Sequence, residues 1–279
     1  MRNHLNVSTV FGSVAALAAV LIFSPVARAQ RGQPAQPRQQ AGANQGQRRG
    51  AAPSPTANLP FDPHDLTGVW RFGGGLAPNN VPPMTPAGKA KFDANIPGLG
   101  GPEGKNQPLG NDPMMTCDPV GYPRVLTFGA YPMEMVQLPG RIIQFFDYFY
   151  IHRTIWMDGR KLPDDPERTW YGYAIGHWEG DTLVVQSNGY NGRAWFANGG
   201  YPYSEDAKLE ERYQRVNHDT INITMTLTDP TTYTKPWTIP SASLRWAPKE
   251  VMREDVCSPS DEKKYLDEIR EPAGRKTRQ

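Results

Sequence analysis

The sequence predicts a mainly β protein whose strands form an antiparallel meander closed into a barrel. From residue 125 onward, short runs of β-branched and aromatic residues recur at regular spacing, as they do in strands. Turn sequences such as Pro139-Gly140 and Asp158-Gly159 separate the runs and allow tight hairpins between sequential neighbours. About ten strands must hide their edges, and barrel closure removes edges entirely. A two-sheet β-sandwich is the alternative.

The other elements follow from local signals along the chain. Residues 66–72 form the first strand, and a short helix over 85–95 begins at a threonine cap followed by proline. Residues 73–112 are rich in glycine, proline and asparagine, which is typical of a covering loop or lid. A short helix is expected at 261–270, before a frayed tail at 271–279. The later strands are predicted at 125–128, 133–137, 141–150, 152–156, 171–178, 182–187, 209–216, 220–227 and 237–246.

Residues 1–29 have the pattern of a cleavable Sec-type signal peptide. Arg2 supplies the positive start, residues 10–23 are almost wholly apolar or small, and Ala27-Arg28-Ala29 provides the cleavage site. The apolar run is shorter than the roughly 18–20 residues that a membrane span needs. We therefore expect a bacterial protein exported to the periplasm or the medium, with no transmembrane segment after cleavage.

Residues 30–60 form a leader rich in glutamine, proline, alanine, glycine and arginine, with no acidic or aromatic residue. Such a composition cannot bury enough apolar surface to fold, so we expect a disordered leader before a single domain at 61–270. The leader could touch anionic envelope polymer or serve as a plain spacer. Residues 61–279 hold 24 basic and 28 acidic residues, a net charge of −4, which gives no electrostatic basis for nucleic-acid binding.

The two cysteines, Cys117 and Cys257, lie far apart in the sequence. In an oxidising compartment such a pair favours one structural disulfide, worth about 2–4 kcal/mol. Neither cysteine lies in a CxxC motif, and the histidines fall at no metal-ligand spacing. We therefore expect a disulfide, with no metal and no cofactor.

The predicted strand at 141–150 is bulky on both faces, because even and odd positions alike carry isoleucine, phenylalanine or tyrosine. A strand with one face in water would alternate apolar and polar residues. We therefore expect protein on both flanks of this strand and an aromatic-lined hollow inside the barrel. Its lone carboxylate, Asp147, would then lie in a dry environment.

Two sets of residues carry resemblances to known families. The Gly68-x-Trp70 pair, followed by a meander and a late helix, resembles the lipocalins and the wider calycin barrels. That resemblance implies that Trp70 packs across the barrel floor beneath a basic residue, for which Arg245 or Arg253 are the candidates.

The second resemblance covers most of residues 65–257. The run GHWEGDTLVV at 176–185, with HRTIWMDGR at 152–160 and DPTTYTKPW at 229–237, is similar to a family of uncharacterised exported bacterial all-β proteins. It implies a common fold and export, and it brings no activity and no catalytic residues.

No nucleophile elbow, P-loop, HExxH, EF-hand or Rossmann glycine pattern occurs in the chain. The strongest candidate for chemistry is the cluster of Asp147, His152 and Arg153. Desolvation would raise the pKa of Asp147, His152 could act as general acid or base, and Arg153 could stabilise developing negative charge. The competing interpretation is a buried ion pair in which Arg153 or Arg141 holds Asp147.

Two functional hypotheses follow, with a structural envelope protein as a third. The first is a lipocalin-like protein that binds an apolar or aromatic small molecule in a barrel pocket. The second is an enzyme on the same scaffold, of hydrolase, lyase or isomerase type, acting on a lipid, terpenoid, phenolic or sugar derivative. The expected ligand-binding residues are Tyr148, Tyr150, Trp156, Tyr173, His177 and Trp195.

Overall fold

The computed structural model describes residues 56–73, 80–97, 109–127 and 131–276. The predicted signal peptide, most of the predicted leader, and residues 74–79 and 98–108 of the predicted lid lie outside these described residues. Nine strands close into a barrel, which confirms the mainly β barrel predicted from the sequence. Among the described residues, no helix has the length and apolar character needed to cross a membrane.

The barrel strands and the smaller elements have well-defined bounds. The strands are β1 Gly68–Phe72, β2 Met133–Leu138, β3 Arg141–Phe146, β4 Ile151–Trp156, β5 Tyr173–Glu179, β6 Thr182–Asn188, β7 Trp195–Ala197, β8 Tyr201–Pro202, β9 Lys208–Asn217, β10 Thr220–Thr228 and β11 Trp237–Trp246. The strand order around the barrel is β1-β11-β10-β9-β6-β5-β4-β3-β2, and β7 and β8 form a separate two-stranded sheet. The helices are α1 Pro86–Ala94, α2 Pro259–Tyr265 and α3 Glu271–Lys276, with a π-helical turn at Leu266–Arg270 between the last two.

The helices begin where the sequence signals place them, and the last one runs further than expected. The Thr85 side chain caps α1 by accepting a hydrogen bond from the Gly88 N–H. The expected frayed tail does not begin at 271, since α3 continues past Pro272. The Glu271 N–H donates to the Leu266 carbonyl, so the helical register changes just before Pro272, a residue that has no N–H to donate.

The barrel departs from a simple meander in two places. β4 and β5 pair parallel, and only at Ile155 with Ala174 and Trp156 with Ile175. β6 pairs with β9, so the β7/β8 sheet lies outside the barrel order. The predicted strand at 125–128 is also wrong in its described part, because residues Arg124–Thr127 form a 3-10 turn. Val125 and Leu126 are both buried. Adjacent residues of a strand point to opposite faces, so the burial of both fits a turn packed against the barrel better than a strand with one solvent-exposed face.

The expectation that strand 141–150 is covered on both flanks is wrong. The strand ends at Phe146, and its residues alternate strictly, with Ile142, Gln144 and Phe146 buried. Phe145 on the other face is 37% exposed. The chain turns back after β3 through Phe149 and Tyr150, whose φ angles are 59° and 52°, because β4 begins at once and must pair antiparallel with β3.

Side chains fill the barrel, so the expected aromatic-lined hollow is occupied. The plug segment, residues 120–126, is buried as well, and its Tyr122 bonds to side chains of β9. Buried side chains that line the interior include Trp70, Met135, Gln144, Phe146, Arg153, Ile155, Leu183, Val185, Leu209, Glu211, Tyr213, Ile221, Ile223, Met225 and Leu244.

The basic residue that packs against Trp70 is Arg215, and neither Arg245 nor Arg253. The guanidinium carbon of Arg215 lies 5.4 Å from the centre of the Trp70 ring and 6.0 Å from that of Trp246. Arg215 follows Glu211 and Tyr213 on the buried face of β9. Arg245 is exposed between the more buried Leu244 and Trp246, so its strand directs it outward, where it donates to Thr220.

The predicted disulfide between Cys117 and Cys257 is present, with Cα atoms 5.4 Å apart and 140 residues between them in sequence. It joins the chain just before the plug segment to residues 247–258, which we call the C-terminal strap. A crosslink that closes so long a loop restricts the unfolded chain strongly.

Replacing both cysteines, with Cys117→Ser and Cys257→Ser, should lower the free energy of unfolding by about 2–5 kcal/mol, since the unfolded chain regains its loop entropy. Urea unfolding of the oxidised parent protein and the double variant measures the difference. The parent protein in reductant is the control and should match the variant. An unchanged unfolding midpoint would contradict this role of the disulfide.

Candidate functional site

A buried ion pair crosses the interior of the barrel. Arg153 on β4 donates to both carboxylate oxygens of Glu211 on β9, at 2.6 and 3.1 Å. The same guanidinium donates to Gln144 at 3.3 Å and to Ser187 at 3.2 Å. Strands β5 and β6 lie between β4 and β9 in the wall, so the pair ties together strands that do not touch through their backbones.

Tyr122 of the plug segment completes this network. Its ring lies 3.8 Å from the Arg153 guanidinium carbon, and its hydroxyl donates to Glu211 and lies 2.8 Å from the Tyr213 hydroxyl. Burial and the nearby Glu211 carboxylate raise the pKa of Tyr122 well above its usual value, and burial raises the pKa of Tyr190 to about 12. These phenols therefore stay neutral. The Nε–H of Arg153 is buried and has no hydrogen-bond partner among the described residues.

Asp147 is buried, and its partner is Arg253 of the C-terminal strap. The Arg253 main-chain N–H donates to one carboxylate oxygen, and its guanidinium donates to the other at 2.9 and 3.2 Å. The predicted alternatives, Arg153 and Arg141, are wrong as partners. Arg153 extends into the barrel toward Glu211, while Arg141 lies at the opposite end of β3.

His152 is exposed on the outer face of β4, beside its cross-strand neighbour Phe145, with ring centres 6.1 Å apart. Adjacent residues of a strand point to opposite faces, so His152 points away from the interior that holds Arg153. The structure therefore does not bring the three predicted catalytic residues together. Asp147 is held apart by Arg253, and the side chains of His152 and Arg153 point to opposite faces of β4.

The barrel wall parts between β4 and β5, and the gap forms a cleft of about 330 Å³. We call it the seam cleft. Beyond the two paired positions, residues 151–154 have no partner on β5. Four aromatic residues line the cleft together with His152 and Arg153, namely Trp156, Trp170, Tyr171 and Tyr173.

Two arginines stack on aromatic residues of the seam cleft. Arg160 lies 3.8 Å from the Trp156 ring centre, donates to the Tyr173 hydroxyl at 3.0 Å and pairs with Asp158. Bonding to Asp158 raises the pKa of Arg160 and lowers that of Asp158.

Arg193 lies 4.7 Å from the Trp170 ring centre and pairs with Asp118 at 3.3 Å. Arg153 at the cleft is balanced by Glu211. Each of these arginines therefore has a carboxylate partner.

The seam cleft unites part of the predicted site. His152, Arg153, Trp156 and Tyr173 line it, whereas the other predicted ligand-binding residues lie elsewhere. Tyr148 packs on Tyr131, Tyr150 lines a different groove, His177 contacts Glu179 on the outer wall, and Trp195 is buried beside Arg124.

Sequence reasoning missed Trp170 and Tyr171 as cleft residues. Tyr171 was expected inside a continuous strand at 171–178, while β5 begins only at Tyr173. Gly172 has a φ of 69° and breaks the extended chain there. A glycine directly between tyrosines at 171 and 173 was the signal that the strand starts later.

The described residues contain no group of three or more histidine, cysteine, aspartate or glutamate side chains placed to hold a metal ion. No family model, curated protein or solved structure matches the chain. Functional proposals therefore rest on the geometry of its own residues.

The buried phenols should make the fold sensitive to alkali. A phenol whose pKa is higher in the folded state stabilises the fold below about pH 10, and that stability is lost as the pH rises toward the folded-state pKa. Urea unfolding at pH 8, 10 and 11 should therefore show decreasing stability. Tyr122→Phe should already cost about 1.5–3 kcal/mol at pH 8, because Glu211 loses a donor.

The loss between pH 8 and pH 11 should be smaller in Tyr122→Phe than in the parent protein. Equal unfolding midpoints for the two proteins at pH 8 would show that the Tyr122 hydroxyl contributes nothing to the network.

Proposed function

We propose that this chain is an exported binding protein that holds an uncharged aromatic small molecule in the seam cleft. One observation carries the proposal: the wall of a filled barrel opens between β4 and β5, and four aromatic side chains line the opening. Ligand sites are concave, largely apolar and aromatic, and contain a few polar groups that orient the ligand.

The size and shape of the cleft favour a ligand of one or two rings. Its volume of about 330 Å³ lies at the lower end of small-molecule pockets. Trp156 and Trp170 already carry stacked arginines, so these rings are held in place before a ligand arrives. A rigid aromatic wall binds flat rings with little loss of side-chain entropy.

Charge favours a neutral ligand with an oxygen atom. Arg153, Arg160 and Arg193 are each balanced by a carboxylate, so an ionised ligand would be desolvated with little compensation. The buried Nε–H of Arg153 has no acceptor in the part of the chain that the structure describes, and leaving such a donor unsatisfied costs about 1–3 kcal/mol. A phenol or an aryl ketone would supply the missing acceptor.

Export is part of the proposal and rests on the signal-peptide pattern. The disulfide is in keeping with an oxidising compartment, and the basic leader would give at most a weak contact with envelope polymer. Acid–base catalysis by Asp147, His152 and Arg153 gains no support from the geometry. Arg253 and Glu211 already hold two of these residues.

Binding of 2-naphthol, an uncharged fluorescent probe, tests the proposal. Trp156→Ala and Trp170→Ala should each weaken binding about tenfold, since each removes a stacking wall. Trp178→Ala is the matched control and should bind normally, because Trp178 packs on His64 outside the cleft. Equal weakening by all three variants, or no binding by the parent protein, would refute the cleft as the site.

A further inference from the structure

A second cavity, of about 360 Å³, lies on the outer wall of the barrel. We call it the outer groove. Its floor is a cross-strand row on β2, β3 and β4, formed by Glu134, Phe145 and His152. Tyr150 also lines it, together with Met252 of the C-terminal strap. The strap is fixed there by the bonds between its Arg253 and Asp147.

Glu134 is a half-buried carboxylate for which the described residues supply no counter-charge. Among the described residues it makes no hydrogen bond and no ion pair. Its neighbours on the adjacent strands, Val69 and Phe145, are apolar. Two arginines of the adjoining segments have carboxylate partners of their own, Arg253 with Asp147 and Arg71 with Glu250. An unpaired charge beside apolar surface is costly, because water solvates it poorly and no partner compensates.

We propose that the outer groove is a binding site for an organic ammonium ion, with Glu134 as counter-ion and Phe145 and Tyr150 as aromatic walls. Ammonium groups bind to the faces of aromatic rings, and quaternary ammonium ions are recognised by aromatic surfaces of this kind. The Met252 thioether is a soft apolar contact that adapts to different ligand shapes. This site is independent of the proposed ligand in the seam cleft.

The backbone at the mouth of the outer groove supports this assignment. Phe149 and Tyr150 are consecutive residues with φ of 59° and 52°, a conformation that costs non-glycine residues about 1–2 kcal/mol each. The result is a tyrosine that is 64% exposed beside the groove. Such strain tends to be kept where it positions a ligand contact.

Other ligand classes fit the outer groove less well. A neutral apolar molecule would cover Glu134 and desolvate it further without compensation. An anion would meet a like charge. A divalent metal ion needs several oxygen ligands, and the described residues hold no group of three acidic or histidine side chains suited to a metal.

Calorimetric titration with benzyltrimethylammonium chloride tests the proposal, with benzyl alcohol as the uncharged comparison. The parent protein should bind the ammonium ion at least tenfold more tightly than the alcohol, and added salt should weaken the binding. Glu134→Gln should reduce affinity about tenfold, since it removes the counter-ion and keeps the shape of the side chain.

Phe145→Leu should reduce affinity about threefold by removing a ring face, and it serves as a second variant if Glu134→Gln does not fold. Glu268→Gln removes one charge from an exposed position near the C terminus and should leave binding unchanged.

Trp156→Ala should also leave ammonium binding intact, which separates this site from the seam cleft. Equal affinity for the ammonium ion and the alcohol, undiminished binding in Glu134→Gln, or no ammonium binding by the parent protein would overturn the proposal.

Discussion

The buried ion pair between Arg153 and Glu211 determines how the interior of the barrel is filled. Two charges inside a barrel cost several kcal/mol each in lost hydration, and their attraction compensates only when the remaining hydrogen-bonding sites are occupied. Here the carboxylate accepts from Arg153, Tyr122 and Tyr213. The pair therefore requires the plug segment, because Tyr122 comes from it.

Because the plug segment fills the interior of the barrel, no ligand can bind there, and the candidate sites lie in the barrel wall. Tyr122 occupies the space above the Arg153 guanidinium, where a ligand of a hollow barrel would otherwise sit. The Tyr122 N–H also bonds to the carbonyl of Trp170, a residue that lines the seam cleft. The plug segment therefore fills the interior and also contacts the chain beside the open seam.

A second buried carboxylate, Asp147, fixes the chain that borders the outer groove. Asp147 holds the C-terminal strap through Arg253, and the disulfide holds the end of the strap. Met252 is thereby placed beside Phe145 at the outer groove. His152 borders both cavities, so one residue of the predicted polar cluster lies between the two proposed sites. Asp147 and Arg153 have different partners from those expected.

Local chemistry alone determined much of this protein. The turns, most strand positions, the Thr85 cap and the cysteine pair could be predicted, because each depends on neighbouring residues or on composition. Only the tertiary structure decided that Glu211 pairs with Arg153, that Arg215 packs against Trp70 and that β4 meets β5 in parallel. These contacts join strands far apart in the chain, and their partners depend on strand order and register around the barrel, which a two-residue periodicity along one strand does not encode.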